Sequence, residues 1–271
     1  MRTTMTSRVS YSVLNAIVLV AFLFPFLWMV SASLKTQIQI LNPDYLFKFT
    51  PTFDNYVSVF KEYDYLKYLS NSLIVGVLST LGSLALGLPA AYAIARYRMD
   101  SMSVVILMAK ILPGISYLVP WYVLFNKVHL IDSYSGLIMS HMVIGLPFIM
   151  WIMIPFFASF PREVEESTWI DGSSRMRTFV QMVLPVSLPG IITASLLAFI
   201  YSWNNFMFSF VLAGEKTKTL PIAIYNFVGG TSIQWGALMA AACIITLPVI
   251  IIAMLAQKYV VSGLSAGAVK G

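Results

Sequence analysis

The stretch Ser135-Gly-Leu-Ile-Met-Ser-His-Met-Val-Ile-Gly-Leu-Pro-Phe-Ile-Met-Trp-Ile-Met-Ile-Pro-Phe-Phe157 holds no Asp, Glu, Lys or Arg. About 20 such residues in a helix cross the hydrocarbon core of a bilayer. Five further runs are long and apolar enough to do the same, with Lys110 their one charge: Ser12–Leu34, Leu69–Ala95, Ser103–Phe125, Ile191–Leu212 and Gly236–Ala256. Gly82, Gly87, Pro89, Pro113, Pro120 and Pro147 inside them are ordinary for membrane helices, where neighbours re-satisfy freed backbone groups. The composition agrees. Of 271 residues, 59% are hydrophobic and 10% charged, with a mean hydropathy of +0.82; a soluble domain carries about 25% charged residues to hydrate its surface. The sequence predicts an all-α integral membrane protein with six transmembrane helices.

The absences narrow the function. No G-x-x-x-x-G-K-[ST] phosphate loop occurs, so hydrolysis of ATP by this chain is not expected. No His/Cys/Asp/Glu cluster has metal-ligand spacing, and no nucleophile–base pair stands out; no catalytic or metal residue is assigned. The net charge of +6 comes from dispersed Lys and Arg that form no basic cluster with interleaved aromatics, which argues against nucleic acid. Cys243 has no cysteine partner. All eleven Asp and Glu lie outside the six runs, whereas ion-coupled carriers place ionisable groups along the path. Lys110 is the sole charge within a span, read either as snorkelling to the interface or as part of a transport path. His129 and His141 read as polar packing residues.

Arg2 and Arg8 precede a first run too long for a signal peptide, so an uncleaved span is expected. With both termini inside, Arg2, Arg8, Arg96, Arg98, Arg162, Arg175 and Arg177 all fall on the cytoplasmic side. The outer loop 35–68 balances lysines against Asp44, Asp54, Glu62 and Asp64 and is expected to fold on the surface, with a short helix over Asp54–Tyr65.

The inner loop 158–189 is the most informative. Pro161 suits the first turn of a helix, and Glu163, Glu165 and Glu166 suit its positive N-terminal end. Gly172 ends it, at positive φ, and Ser173 or Ser174 caps a second helix. That helix has Met176, Phe179, Val180 and Val183 on one face and stops at Pro185. A membrane-surface helix would be rich in Lys and Arg, but the first half is acidic. An ordinary structured loop and a docking element for a soluble partner remain.

The spacing Glu166-Ser-Thr-x-x-x-Gly172, then nine residues, then Met182-x-Leu184-Pro185, resembles the E-A-A-x3-G-x9-I-x-L-P loop of permease subunits in binding-protein-dependent ABC importers. Ser167 and Thr168 replace the two alanines and Met182 the isoleucine. Ser202-Trp-Asn-Asn-Phe206 and the Gly/Ala-rich tail from Val261 resemble the carbohydrate-importing, maltose-type branch. The resemblance covers essentially the whole chain. It implies a type I importer permease fold: one transmembrane domain over 1–271, with spans 12–34, 69–95, 103–125, 135–157, 191–212 and 236–256 and a tail over 258–271. It also implies a homologous second permease, two ATPase subunits that bind ATP and Mg, and an extracytoplasmic sugar-binding protein. The chain itself would carry no cofactor, contact membrane lipid, and lie in a bacterial or archaeal inner membrane.

The function implied is half of a translocation path for a sugar, a di- or oligosaccharide, rather than an enzyme. Coupling to the ATPase would fall to Glu163, Glu165, Glu166, Ser167, Thr168, Ile170, Asp171, Gly172, Leu184 and Pro185. Val164, Trp169, Ile170, Met176 and Phe179 would supply the apolar anchor. In the fifth span, helical spacing sets Tyr201, Asn204, Asn205 and Phe208 on one face, with Trp203 beside them. Amides and rings suit a sugar, though asparagines also bond neighbouring helices. The alternative is an ATP-independent channel or facilitative carrier, which leaves the acidic helix–Gly–helix without a task.

Overall fold

The computed structural model describes residues 5–228 and 233–268, with side-chain surroundings for 11–228 and 233–257. The described residues are mostly helical, with no strand among them. Four helices are long and apolar enough to cross a membrane, or up to six if each of two bent pairs is one span.

The chain divides into two compact units, residues 1–66 with 223–247 and residues 67–222 with 248–271. In the first, α1 (Met5–Ser33) is apolar all round, and no part of its most apolar window is buried by protein. Such a helix needs lipid around it. The outer loop is folded, as expected. Its helix α2 (Asp54–Glu62) presents Asn55, whose Nδ2 donates to the carbonyls of Ser33 and Lys35 at 2.8 Å each. Lys35 is buried, donates to Leu46 O at 2.9 Å and lies 4.5 Å from the Phe49 ring centroid.

The second unit is built on α3 (Tyr65–Arg96) from Lys67 onward, α4 (Asp100–Ile111), α5 (Leu118–Lys127) and α6 (Tyr134–Ala158). They are followed by α7 (Arg162–Ile170), α8 (Arg175–Val186), α9 (Leu188–Trp203) and α10 (Met207–Leu212). Leu88, Ala91, Ile149, Met153, Phe157 and Ala194 form its main core, and Val75, Phe125, Leu137, Phe208 and Leu212 a second cluster. Close helix approach explains Gly190: a Cβ there would sit 2.8 Å from Phe156 Cδ2.

Two expected spans are broken. The run 103–125 is α4 and a second piece, Gly114–Lys127, bent by 92°. Leu112 is extended (ψ 128) because a residue before proline avoids the helical region, and Pro113 has no N–H to offer. The run 191–212 is α9 and the separate α10. At the break, Asn204 Nδ2 donates to Ile200 O at 3.0 Å and Asn205 Oδ1 accepts from Phe208 N at 3.0 Å. The asparagine side chains thus take backbone partners that helix continuation would use. The last helix, α11 (Trp235–Ala268), runs on through most of the segment read as a tail. The side chains of Arg2, Arg8, Lys258 and the tail from Val261 lie outside the described set.

Candidate functional site

The helix–Gly–helix of the loop forms, with a changed inner face. Pro161 (φ −61, ψ 129) precedes α7 rather than opening it. Gly172 has φ +84, and an added Cβ would meet nothing within 4 Å, so its constraint is the backbone conformation alone. Gly172 N donates to Trp169 O, and Ser173 N to Thr168 O, both at 3.0 Å, closing the end of α7. Of the two candidate caps it is Ser174 that acts, its Oγ accepting from Arg177 N at 3.3 Å. Thr168 and Thr178 bond through their hydroxyls at 2.8 Å and tie α7 to α8.

The face expected of Met176, Phe179, Val180 and Val183 splits. A π-turn over Phe179–Val183 shifts the register; Phe179 and Val183 are buried, while Met176 and Val180 stand exposed. The helix also continues past Pro185 to Val186 and then bends by 78° into α9. The apolar anchor is therefore smaller than expected. Val164 packs on the core with Phe179, leaving Trp169, Ile170 (87% exposed) and Met176 facing outward.

The acidic residues part company as well. Glu163, Glu166, Ser167 and Asp171 are exposed, as is Pro185, with Thr168 and Leu184 half-buried. Glu165, expected on the charged rim, is buried at 1% exposure. It forms an ion pair with Arg96 at the end of α3 and accepts from the Tyr92 hydroxyl at 2.6 Å. Arg96 also donates to Phe160 O at 3.2 Å, and Arg162 to Arg96 O at 3.0 Å. Arg175 bonds the Tyr97 hydroxyl and stacks 5.4 Å from the Trp169 ring centroid. Arg96, Tyr92, Tyr97 and Arg175 were not legible as loop partners. The one available signal was a basic turn directly after a span.

In the membrane-spanning part, the face drawn through Tyr201, Asn204, Asn205 and Phe208 does not persist past the break. Tyr201 and Asn204 are exposed, whereas Asn205, Phe208 and Trp203 are buried. Trp203 stacks on Phe199 at 5.6 Å. Tyr201 instead lines a cavity of about 390 Å3 with Lys110, Pro113, Gly114, Tyr117 and Pro147. The Lys110 Nζ lies 3.5 Å from the Trp151 ring centroid and 4.8 Å from that of Phe148. His141 Nδ1 and Ser202 Oγ are 2.7 Å apart, and Ser202 bonds Ser79 at 3.0 Å, linking α3, α6 and α9. No group of His, Cys, Asp or Glu able to hold a metal occurs among the described residues.

At the turn before α6, Asp132 (φ 52) accepts from the backbone N–H of Gly214, Lys216 and Thr217 and from the Thr217 hydroxyl. Burial alone would raise its pKa; the four donors outweigh that and hold the carboxyl below its ordinary value.

Residues 3–266 match the model of a family described as binding-protein-dependent transport system inner membrane component. The chain is 34% identical over 256 residues to a trehalose/maltose transport system permease protein of Thermococcus litoralis, covering 92% of each chain. It is 33% identical over 267 residues to a trehalose transport system permease protein of Mycobacterium tuberculosis, covering 96% of this chain and 97% of that one. Among solved structures, a bacterial ABC transporter involved in import of the acidic polysaccharide alginate has a chain that superposes with a TM-score of 0.79 at 19% identity, covering 96% of this chain and 99% of that one.

Proposed function

The chain belongs to the family of binding-protein-dependent transport system inner membrane components, and from that premise we propose that it carries a di- or oligosaccharide inward as one half of an ABC importer's path. It is a multi-pass inner-membrane transport subunit; ATP hydrolysis belongs to a separate chain. The partners are a homologous permease, two ATPase subunits that hold ATP and Mg, and an extracytoplasmic sugar-binding protein. Both termini and the loop 158–189 face the cytoplasm. The ATP-independent channel or carrier gives way, since the loop now has a task.

One observation carries the coupling role: α7 offers Trp169 and Ile170 outward while its inner face is locked to α3 through Glu165 and Arg96. A rigid element with an apolar outer patch and exposed Glu163, Glu166 and Asp171 suits a groove with basic rims on an ATPase. Displacement of α7 would then pull directly on a membrane helix. For the sugar path, Tyr201, Asn204 and Lys110 are the polar groups not fully buried near the helix breaks; Trp203, Asn205 and Phe208 support the wall. Lys110 lies about 15 Å along α4 from Asp100, half the depth of the hydrocarbon core.

In a Cys243→Ala background, single cysteines at Ser167 and Ile170 should crosslink to the ATPase subunit, and one at Asn55 should not. Crosslinking from Asn55 alone would overturn both the docking assignment and the orientation. Uptake of a disaccharide panel by the reconstituted complex tests the cargo; transport of no sugar with ATPase docking intact would retain the permease and reject the sugar.

A further inference from the structure

A second cavity, of about 430 Å3, lies where the end of α3, the start of α4 and the end of α6 meet the first residue of α7. Arg96, Arg98, Asp100, Ser103 and Arg162 line it. The Arg96 charge is met by Glu165, yet its Nε is buried without a hydrogen-bond partner. Arg98 is exposed and held at φ 50, an uncommon conformation for a residue with a Cβ. Besides Arg96, the lining holds two arginines, Arg98 and Arg162, and one carboxylate, Asp100, an excess of one positive charge. The N-terminus of α4 adds a partial positive charge at the same place.

Such a cavity fits a monoanion with several acceptor oxygens. What lies beside it favours a lipid over a free ion. From Asp100, the next positions on the same face of α4 are Val104, Met108 and Ile111, exposed by 48%, 60% and 78%. An apolar strip leading away from a basic pocket at the end of two spans matches a headgroup with its acyl chain; basic pockets between membrane helices bind anionic headgroups in this way.

We propose that this cavity binds the phosphodiester headgroup of an anionic phospholipid, with an acyl chain along Val104, Met108 and Ile111. Arg162 opens α7 and donates to Arg96 O, so the bound headgroup braces the root of the loop against α3. The site rests on the membrane reading alone and is independent of which solute is carried.

The test is lipid retention by the assembled complex after exchange from nanodiscs of phosphatidylglycerol or of phosphatidylcholine, read by native mass spectrometry. Wild type should retain phosphatidylglycerol and lose phosphatidylcholine. Arg98→Gln should lower retention about fivefold, equivalent to roughly 1 kcal/mol per basic residue at an anionic surface. Asp100→Asn should raise it, a change of opposite sign that mere damage to the fold does not produce. Should Arg98→Gln fail to assemble, Asp100→Asn carries the test. Equal retention of the two lipids, or no response to either substitution, overturns the proposal. Displacement of the lipid by millimolar inorganic phosphate overturns it in favour of a free-anion site.

Discussion

Removing the Arg96 charge should loosen the loop while leaving the chain in the membrane. The side chains of Arg96 and Glu165 are 10% and 1% exposed, so Arg96→Leu leaves a carboxylate in a dry site with only the Tyr92 hydroxyl to meet it. Breaking a buried pair from one side costs about 3–5 kcal/mol. The hydroxyl bond between Thr168 and Thr178 and the packing of Phe179 remain, so α7 stays helical but swings away from α3 more often. A cost of about 3 kcal/mol multiplies the open fraction by roughly 150. Hydrogen exchange over 162–172 in the assembled complex should rise accordingly, with solute-stimulated ATPase falling towards the basal rate. The cycle is completed by Glu165→Leu and the double variant. An apolar pair strands no charge, although the Tyr92 hydroxyl and Phe160 O each lose a partner, so the double variant should exchange more slowly than either single one. Additive effects, or exchange unchanged in Arg96→Leu, would refute the idea that α7 is held to the membrane helices through this pair.

Gly172→Ala should cost about 1–2 kcal/mol of loop stability through its left-handed backbone alone, and Gly172→Val more; since no side chain crowds the site, thermal unfolding equal to wild type would remove the backbone argument. Lys110→Met should change transport rate or solute preference with assembly intact, because the ammonium lines the cavity shared with Tyr201; unchanged uptake kinetics would leave it a packing residue on Trp151. The Asp132 contacts to 214–217 should weaken at low pH. A carboxyl held below its ordinary value of 3.8 contributes fully above that pH and loses the contribution as pH falls through the folded value. Thermal stability should therefore drop below about pH 4, and Asp132→Asn should flatten that part of the profile.

Uncharged runs such as 135–157 and the scarcity of acids determined the membrane class from sequence alone, since no other solvent tolerates them. The loop's two helices and its turn were equally legible, because Gly172 and the Ser174 cap act within a few residues of themselves. Local chemistry also explains, in retrospect, the breaks at Pro113 and at Asn204–Asn205, where backbone preference won over a continuous apolar run. The tertiary structure alone decided which way each side chain of those elements looks. Glu163, Glu165 and Glu166 are alike as sequence; only the position of Arg96, brought alongside by the packing of α3 against α6, selects Glu165 for burial. Helical spacing put Tyr201 and Phe208 on one face, and a three-residue break put one in a cavity and the other in the core. Periodicity reports a face only while the helix lasts, and a long-range ion pair leaves no period to read.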